Sequence, residues 1–191
     1  MSDKNLLEAY ALLRSVTPFE FDCGKLCGAS CCNGDENTGM ILFHGESEMF
    51  SGDEGFKIKS NGENDVLICF GKCDRQKRPL ACRFYPFYPL IHERGGRIRF
   101  DVVNDIRGAA SCPAVYKGLK PKAAFKRAVK RAALCLARDA ENLKILRETA
   151  EMLRDLTKLR QSLNGGRGSS HPVRLTCRFC APSYRDGFRQ V

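Results

Sequence analysis

The stretch Cys23-Gly-Lys-Leu-Cys-Gly-Ala-Ser-Cys-Cys32 places four cysteines within ten residues. Thiols gathered this closely are soft ligands that suit zinc, iron or an iron–sulfur cluster. A helical conformation would put three of them on one face, at i, i+4 and i+8. Because Gly24 and Gly28 interrupt the run, we instead expect an irregular loop whose amides approach the sulfur atoms. Cys31 and Cys32 are adjacent, and neighbouring side chains diverge, so we expect them to serve different metals or opposite edges of one cluster.

Further cysteines downstream enlarge the pool of candidate ligands. The eight candidate metal ligands are Cys23, Cys27, Cys31, Cys32, Cys69, Cys73, Cys82 and Cys112. A single tetrahedral metal needs four ligands, so this number favours a polynuclear centre or two separate sites. Arg78 and Arg83 flank the pool and would stabilise thiolate charge, unless they are ordinary surface residues. The aromatic and proline run at 84–89 would shield a metal centre from water or serve only as core packing.

Cysteine usage and the N-terminal segment bear on the cellular compartment. The chain has 191 residues and eleven cysteines. Its N-terminus has an early acidic residue and helical periodicity instead of a secretory signal, and no apolar run approaches the roughly 20 residues that cross a bilayer. We therefore expect a cytoplasmic protein with no membrane partner. Clustered cysteines in that setting bind metal more often than they form disulfides, and an odd total argues against complete pairing.

The formal net charge of +10 is concentrated in the C-terminal part of the chain. Residues 117–160 carry 13 Lys/Arg against 5 Asp/Glu, whereas residues 1–116 carry 14 against 16. This asymmetry allows contact with an acidic partner or with nucleic acid. No nucleic-acid motif accompanies it, so a solvated helix face is the favoured interpretation.

The spacing of apolar residues predicts an α+β fold. Helices are predicted over 3–15, 121–138 and 139–163, and strands over 40–43, 56–59, 66–70 and 97–103. The last of these follows Gly95-Gly96 and alternates basic and apolar residues, as the return strand of a hairpin would. We expect a small, irregular, cysteine-rich and metal-centred core with short strands, packed against a C-terminal helical hairpin or one bent helix at about 117–163. Asp139 would cap the last helix, and Cys135 would lie on an apolar helix face. Residues 1–163 would form the domain, followed by a flexible basic tail at 164–191.

Taken together, four segments resemble the YkgJ-type cysteine-cluster proteins. These segments are the run from Phe21 to Cys32, Gly39–Glu46, Lys72–Pro86 and Cys112-Pro113. The four-cysteine run joined to Arg-Pro-Leu-Ala-Cys-Arg is the specific combination, and the resemblance covers roughly residues 5–160. It implies a zinc- or iron-chelating domain, often thought to hold an iron–sulfur centre, with no general assigned reaction.

The resemblance does not extend to every residue that could bind metal. His44 stands where we expect proline, so the resemblance supplies no ligand role for it. His92 and His171 are scattered and are interpreted as surface or core residues. Cys177 and Cys180 lie beyond the resemblance, and their spacing is half of a zinc knuckle, so they are interpreted as part of an unstructured tail.

Two function classes remain open at the level of sequence. The first is a cytosolic protein that binds a metal ion or iron–sulfur cluster for redox sensing, electron transfer or metal handling. The second is an enzyme that uses this centre on a protein or small-molecule substrate. A similar cysteine motif occurs in flagellin lysine methylases, although this chain is short for that whole enzyme. A weaker third reading is a structural-zinc module whose basic helices bind nucleic acid.

Overall fold

The computed structural model describes residues 4–32, 39–60, 62, 64–70 and 74–165. Helices and strands are mixed along the chain, which confirms the α+β class. Among these residues no helix is both long and apolar enough to cross a membrane. The predictions made for Cys73, His171, Cys177, Cys180 and residues 166–191 fall outside the described residues.

The N-terminal segment contains two helices of different character. Helix α1 (Lys4–Leu13) confirms the helix predicted over 3–15, and its apolar residues at spacings of three and four are fully covered. Helix α2 (Gly24–Cys27) is a single turn within the cysteine run and is followed by a 3-10 turn at Ser30–Cys32. Part of the stretch expected to be an irregular loop is therefore helical.

A small antiparallel sheet follows the cysteine run. It contains β1 (Met40–Ile41), β2 (Phe56–Ser60) and β3 (Asp65–Cys69) in the order β1-β3-β2. Helix α3 (Glu46–Phe50) lies between β1 and β2 in the chain. Its apolar side packs with the sheet in a small cluster separate from the main core, formed by Leu42, Phe50 and Leu67 with Phe56 and Ile58. The predicted strands are confirmed here, although β1 stops two residues early.

The rest of the fold combines one long hairpin with helices. Its elements are α4 (Leu80–Phe84), β4 (Phe87–Arg94), β5 (Arg97–Asn104), α5 (Pro113–Tyr116), α6 (Ala123–Leu136) and α7 (Ala140–Gly165). Strands β4 and β5 pair antiparallel across the turn at Gly95 and Gly96, both of which have positive φ, so the predicted hairpin is confirmed. Asp139 accepts a 2.8 Å hydrogen bond from the Asn142 amide, so it caps α7 as predicted.

Helices α6 and α7 do not form the predicted packed hairpin. Helix α6 packs on α1 and β5, whereas α7 packs on β4 and on the 3-10 segment at Ile106–Ala110. Successive side chains of β4 explain this separation, because they point to opposite faces. The Phe87 ring lies 5.9 Å from Phe125 of α6, whereas Tyr88 lies beside Thr149 of α7. The start of β4 is thus covered on both faces, which keeps the two helices apart.

The main hydrophobic core is apolar and extends across most of the elements. It runs from Leu6 in α1 to Leu153 in α7 and includes the aromatic residues of α4 and β4. Cys135 is buried within it, as predicted for the apolar face of α6. Among the candidate ligands, Cys112 belongs to this core and Cys23 packs against it. The thiols described below therefore lie at the edge of an apolar core.

Candidate metal centre

The first cysteine run turns back on itself at two left-handed residues. Gly28, at φ 60°, ends α2, and Ala29 follows at φ 58°. Left-handed backbone is uncommon for residues other than glycine and is often found at functional sites. The Ala29 amide donates to the Gly24 carbonyl at 2.9 Å, and the Ser30 hydroxyl donates to the Cys27 carbonyl at 2.6 Å. These bonds fix the reversal, so Cys31 lines the same cavity as the thiols before the turn.

The two adjacent cysteines do not diverge as expected. The sulfur atoms of Cys31 and Cys32 are 3.9 Å apart in the 3-10 turn. Two sulfurs bound to one tetrahedral zinc lie about 3.8 Å apart, because Zn–S is about 2.3 Å. The expectation that neighbouring side chains diverge is therefore wrong at this position, because the tight 3-10 turn brings the two sulfurs together. Their separation is compatible with a single ion.

Two further thiols come from distant parts of the chain. Cys82 lies within α4, which begins directly after Pro79. Cys112 immediately precedes α5, whose first residue is Pro113, and the Cys112 amide donates to the Gly108 carbonyl at 2.8 Å. Proline fixes its own φ and has no N–H, so it is well suited to begin a helix. Both cysteines are thereby held by short helices that the sequence did not predict.

These segments meet at one small cavity of about 60 Å³. Five of the eight predicted ligands line it: Cys23, Cys27, Cys31, Cys82 and Cys112. The structure thus brings Cys82 and Cys112 to the same cavity as the first cysteine run. Cys32 does not line the cavity but has its sulfur beside that of Cys31. Cys69 lies at the end of β3, opposite Phe56, and is also not part of the cavity lining.

The thiols line the same cavity, but their side chains are not positioned to coordinate a metal ion together. Over the described parts of the chain, no three or more His, Cys, Asp or Glu side chains stand close enough together to hold a metal ion. The five cysteines nonetheless suit a soft or borderline metal, because they offer sulfur ligands. None of the eight cysteines in the described ranges forms a disulfide bond, and rotation about Cα–Cβ moves a sulfur without moving the backbone.

Three arginines share the cavity lining with the thiols. These are Arg75, Arg78 and Arg83. The Arg75 guanidinium donates to the Val16 carbonyl at 2.6 Å. The buried Arg83 donates to the carbonyls of Arg78 and Gln76, each at 2.7 Å. The sequence predicted that Arg78 and Arg83 flank the thiols, whereas Arg75 was missed because it lies in a 3-10 turn, Arg75–Lys77, that is too short to show a periodic pattern.

Glu46 is the functional candidate that the sequence did not single out. Its carboxylate is fully buried and accepts hydrogen bonds from the amides of Phe43 at 2.7 Å and Leu80 at 2.8 Å, and also from the Tyr10 hydroxyl. Arg83 stacks over the Tyr10 ring at 4.6 Å. The network therefore joins α1, α3 and α4 beneath the arginine that lines the cavity. The available signal was the Gly45-Glu46 pair at the start of a short helix.

The cavity perturbs the acidity of its titratable groups. Burial, followed by the nearby Cys112 and Cys27, raises the pKa of the Cys23 thiol. The hydrogen bond with Cys32 lowers the pKa of Cys31, and Arg78 acts in the same direction. Burial and the Cys112 thiol raise the pKa of Tyr85. The neutral Tyr85 hydroxyl therefore stays a hydrogen-bond donor beside Cys112 across the neutral range.

The two described histidines lie beside aspartates, away from the thiols. Nδ1 of His44 is 3.6 Å from Asp139, and Nε2 of His92 is 3.3 Å from Asp101. Neither lines the thiol cavity. Some of the basic residues of α6 and α7 are likewise paired within the fold, as in Lys130 with Asp101 at 3.0 Å.

Comparison of the chain with protein-family models, curated proteins and solved structures found no match. The resemblance to the YkgJ-type proteins therefore stays a prediction that rests on the motifs themselves.

Proposed function

We propose that this chain is a cytoplasmic metal-binding protein of the YkgJ type, which holds zinc, iron or an iron–sulfur cluster for redox sensing or metal handling. The observation that carries the proposal is the meeting of Cys23, Cys27, Cys31, Cys82 and Cys112 at one cavity. These residues come from three separate segments, so local sequence does not force them together.

The roles of the chain's own residues follow from their positions. The cavity thiols would supply the ligands, with Cys32 available beside Cys31. A bound zinc would contribute a fixed scaffold, whereas iron or a cluster would add one-electron chemistry. The apolar side of the cavity, which includes Pro18, Leu26 and Pro86, would limit the access of water to the sulfurs.

The size of the cavity favours binding over catalysis. Pockets for small-molecule substrates usually measure about 300–1,000 Å³. The thiol cavity, at about 60 Å³, has room for an ion or a few waters but not for such a substrate beside the metal. A larger cavity of about 280 Å³ is lined by residues of α3, α7 and the loops beside β1–β3, and contains no cysteine. The methylase-related alternative therefore has less support than a binding role.

Anaerobic purification of the full chain, followed by iron, sulfide and zinc analysis, tests the proposal. We expect at least about one metal equivalent per chain, since four thiolates suffice for a structural site. Brown protein with charge-transfer absorption would identify a cluster, and colourless protein with stoichiometric zinc would identify a zinc site. Protein that is folded yet takes up neither metal, even after reconstitution under reducing conditions, would contradict the proposal.

Cysteine variants locate the metal on the chain. Cys82→Ser and Cys112→Ser should each reduce the bound metal, because serine is a poor ligand for soft ions. Cys135→Ala is the matched control, since Cys135 is buried in α6 and does not line the cavity. Equal metal content in all three variants would show that the metal binds elsewhere.

A further inference from the structure

We propose that the arginines around the thiol cavity select a metal centre of net negative charge, in which four thiolates surround a divalent ion or an iron–sulfur cluster. The inference rests on the proposed function and specifies the kind of centre that the site accepts. It assigns Arg75, Arg78 and Arg83 as positioning and charge-balancing residues of that centre.

The charge of the cavity lining is one-sided. Three arginines line it, and none of its lining residues is Asp or Glu. Asp22 is close enough to act electrostatically on Arg75 and Cys23, but its carboxylate accepts from the Gly24 amide at 3.0 Å and does not line the cavity. A cavity with this lining is electrostatically suited to anions.

Two of the arginines are held in place by backbone carbonyls, and the nearby carboxylates of Asp22 and Glu46, neither of which lines the cavity, act electrostatically on Arg75 and Arg83 respectively. The hydrogen-bond partners of Arg75 and Arg83 given above are backbone carbonyls, which orient a guanidinium but carry no net charge. Arg83 is also confined between the Tyr10 ring and the chain of the Arg75–Lys77 turn, and only 6% of it is exposed. Such fixed cations stabilise a nearby negative charge without first having to reorganise.

The possible metal centres differ in the net charge that they would carry, and this difference decides which of them the arginines favour. Four thiolates around a divalent ion leave two net negative charges, whereas three thiolates with a water molecule leave one. A partly buried negative charge is costly unless cations stand beside it. The three guanidiniums therefore favour the form with the most thiolates. The five cavity cysteines provide enough sulfur for a full set of four.

Binding of Cd²⁺ to the reduced full-length protein tests the inference, because cadmium is a soft probe for thiolate sites. The affinity is measured by competition with a chelator, and the ultraviolet sulfur-to-cadmium absorption reports how many thiolates bind. We expect Arg75→Gln and Arg78→Gln to weaken binding by about 10- to 100-fold, as loss of groups around a metal site commonly does. Both should also reduce the sulfur-to-cadmium absorption.

Charge-preserving and distant variants complete the experiment. Arg75→Lys and Arg78→Lys should stay close to wild type, because they keep the positive charge. Arg147→Gln removes an arginine that pairs with Glu93 at 2.7 Å and does not line the cavity, so it should have no effect. Unfolding curves of the metal-free variants separate lost affinity from lost folding.

Three results would overturn the inference while leaving the proposed function intact. One is unchanged Cd²⁺ affinity and absorption in both glutamine variants. The second is an equal loss of Cd²⁺ affinity in the lysine and glutamine variants. That result would mean that the arginines act through their shape and not through their charge. The third is that the metal-free wild type binds inorganic phosphate and the glutamine variants do not. That result would mean that the arginines form an oxyanion site. Failure of the wild type itself to bind Cd²⁺ would instead remove the proposed function, and this inference with it.

Discussion

At the scale of single residues, the buried carboxylate of Glu46 connects several segments through hydrogen bonds, but burying its charge costs free energy. It accepts hydrogen bonds from three different segments, so it fixes the positions of α1, α3 and α4 relative to one another. A carboxylate without access to water is disfavoured in its charged form, and burial raises the pKa of Glu46 above its ordinary value of 4.5. The Gly45-Glu46 pair marks the start of a short helix, but the burial of Glu46 could not be predicted, because an acidic stretch is typical of solvent-exposed surface.

We expect Glu46→Gln to lower the free energy of unfolding by about 1–3 kcal/mol, because its amide nitrogen would face backbone N–H donors. The pH dependence has a defined sign. With a raised native pKa, the folded protein binds the proton more tightly than the unfolded chain, so wild-type stability falls as pH rises from 4.5 through the native pKa. The variant does not titrate, so the stability difference should be largest at acidic pH and shrink as pH rises.

Denaturant unfolding between about pH 4 and about pH 8 measures this difference. Glu151→Gln, on an exposed position of α7, is the control and should leave the slope of stability against pH unchanged. A stability difference that grows with pH would contradict this prediction. It would mean that the hydrogen bonds to Glu46 favour its charged form more strongly than burial disfavours that form.

At the scale of elements, apolar periodicity predicted the long segments and missed the short ones. Helices α1, α6 and α7 each present a repeating apolar face, and glycines marked the β4–β5 turn, so these elements could be found from the sequence. Helices α4 and α5 have only four or five residues each, too few to establish a period. Cys82 and Cys112 line one cavity with the first cysteine run, and this meeting, like the packing of α6 and α7 on separate faces of β4, depends on tertiary contacts.

Helix α7 divides into a half that packs and a half that does not. Leu146 is fully buried, whereas Leu159 is 56% exposed near the end of the helix. We expect Leu146→Ala to cost about 2–5 kcal/mol through the cavity it leaves. Leu159→Ala should change stability by less than about 0.5 kcal/mol. Chemical denaturation of both variants checks this, and a large loss for Leu159→Ala would reveal a packing partner for the end of α7.

At the scale of the whole molecule, the apolar core and the thiol cavity are neighbouring but distinct. The core links α1, α4, the β4–β5 hairpin, α6 and α7 through aliphatic and aromatic side chains. Most of the cavity thiols are only partly buried at its edge. Folding of the helices should therefore depend mainly on apolar burial, and metal should stabilise the native state by its binding free energy.

We expect metal removal by a chelator to leave the far-ultraviolet circular dichroism of the protein almost unchanged while lowering its melting temperature. Hydrogen exchange should increase mainly at residues 23–32, where the backbone is held by turns. Returning the metal should restore both measurements. Collapse of the helical signal on chelation would show that the metal, and not the apolar core, organises the fold.

The packing of α1 on α6 also has a consequence for synthesis on the ribosome. The partner of this N-terminal helix is made more than a hundred residues later. At about 5–20 residues per second, the nascent chain spends several seconds with α1 lacking its α6 partner and the first four thiols lacking Cys112. Cys112 emerges only shortly before α6, so the last cavity thiol arrives almost together with the helix that closes the core. During that interval these thiols would be open to oxidation, so we expect the redox state of the surrounding medium to affect how much of the chain reaches the native fold.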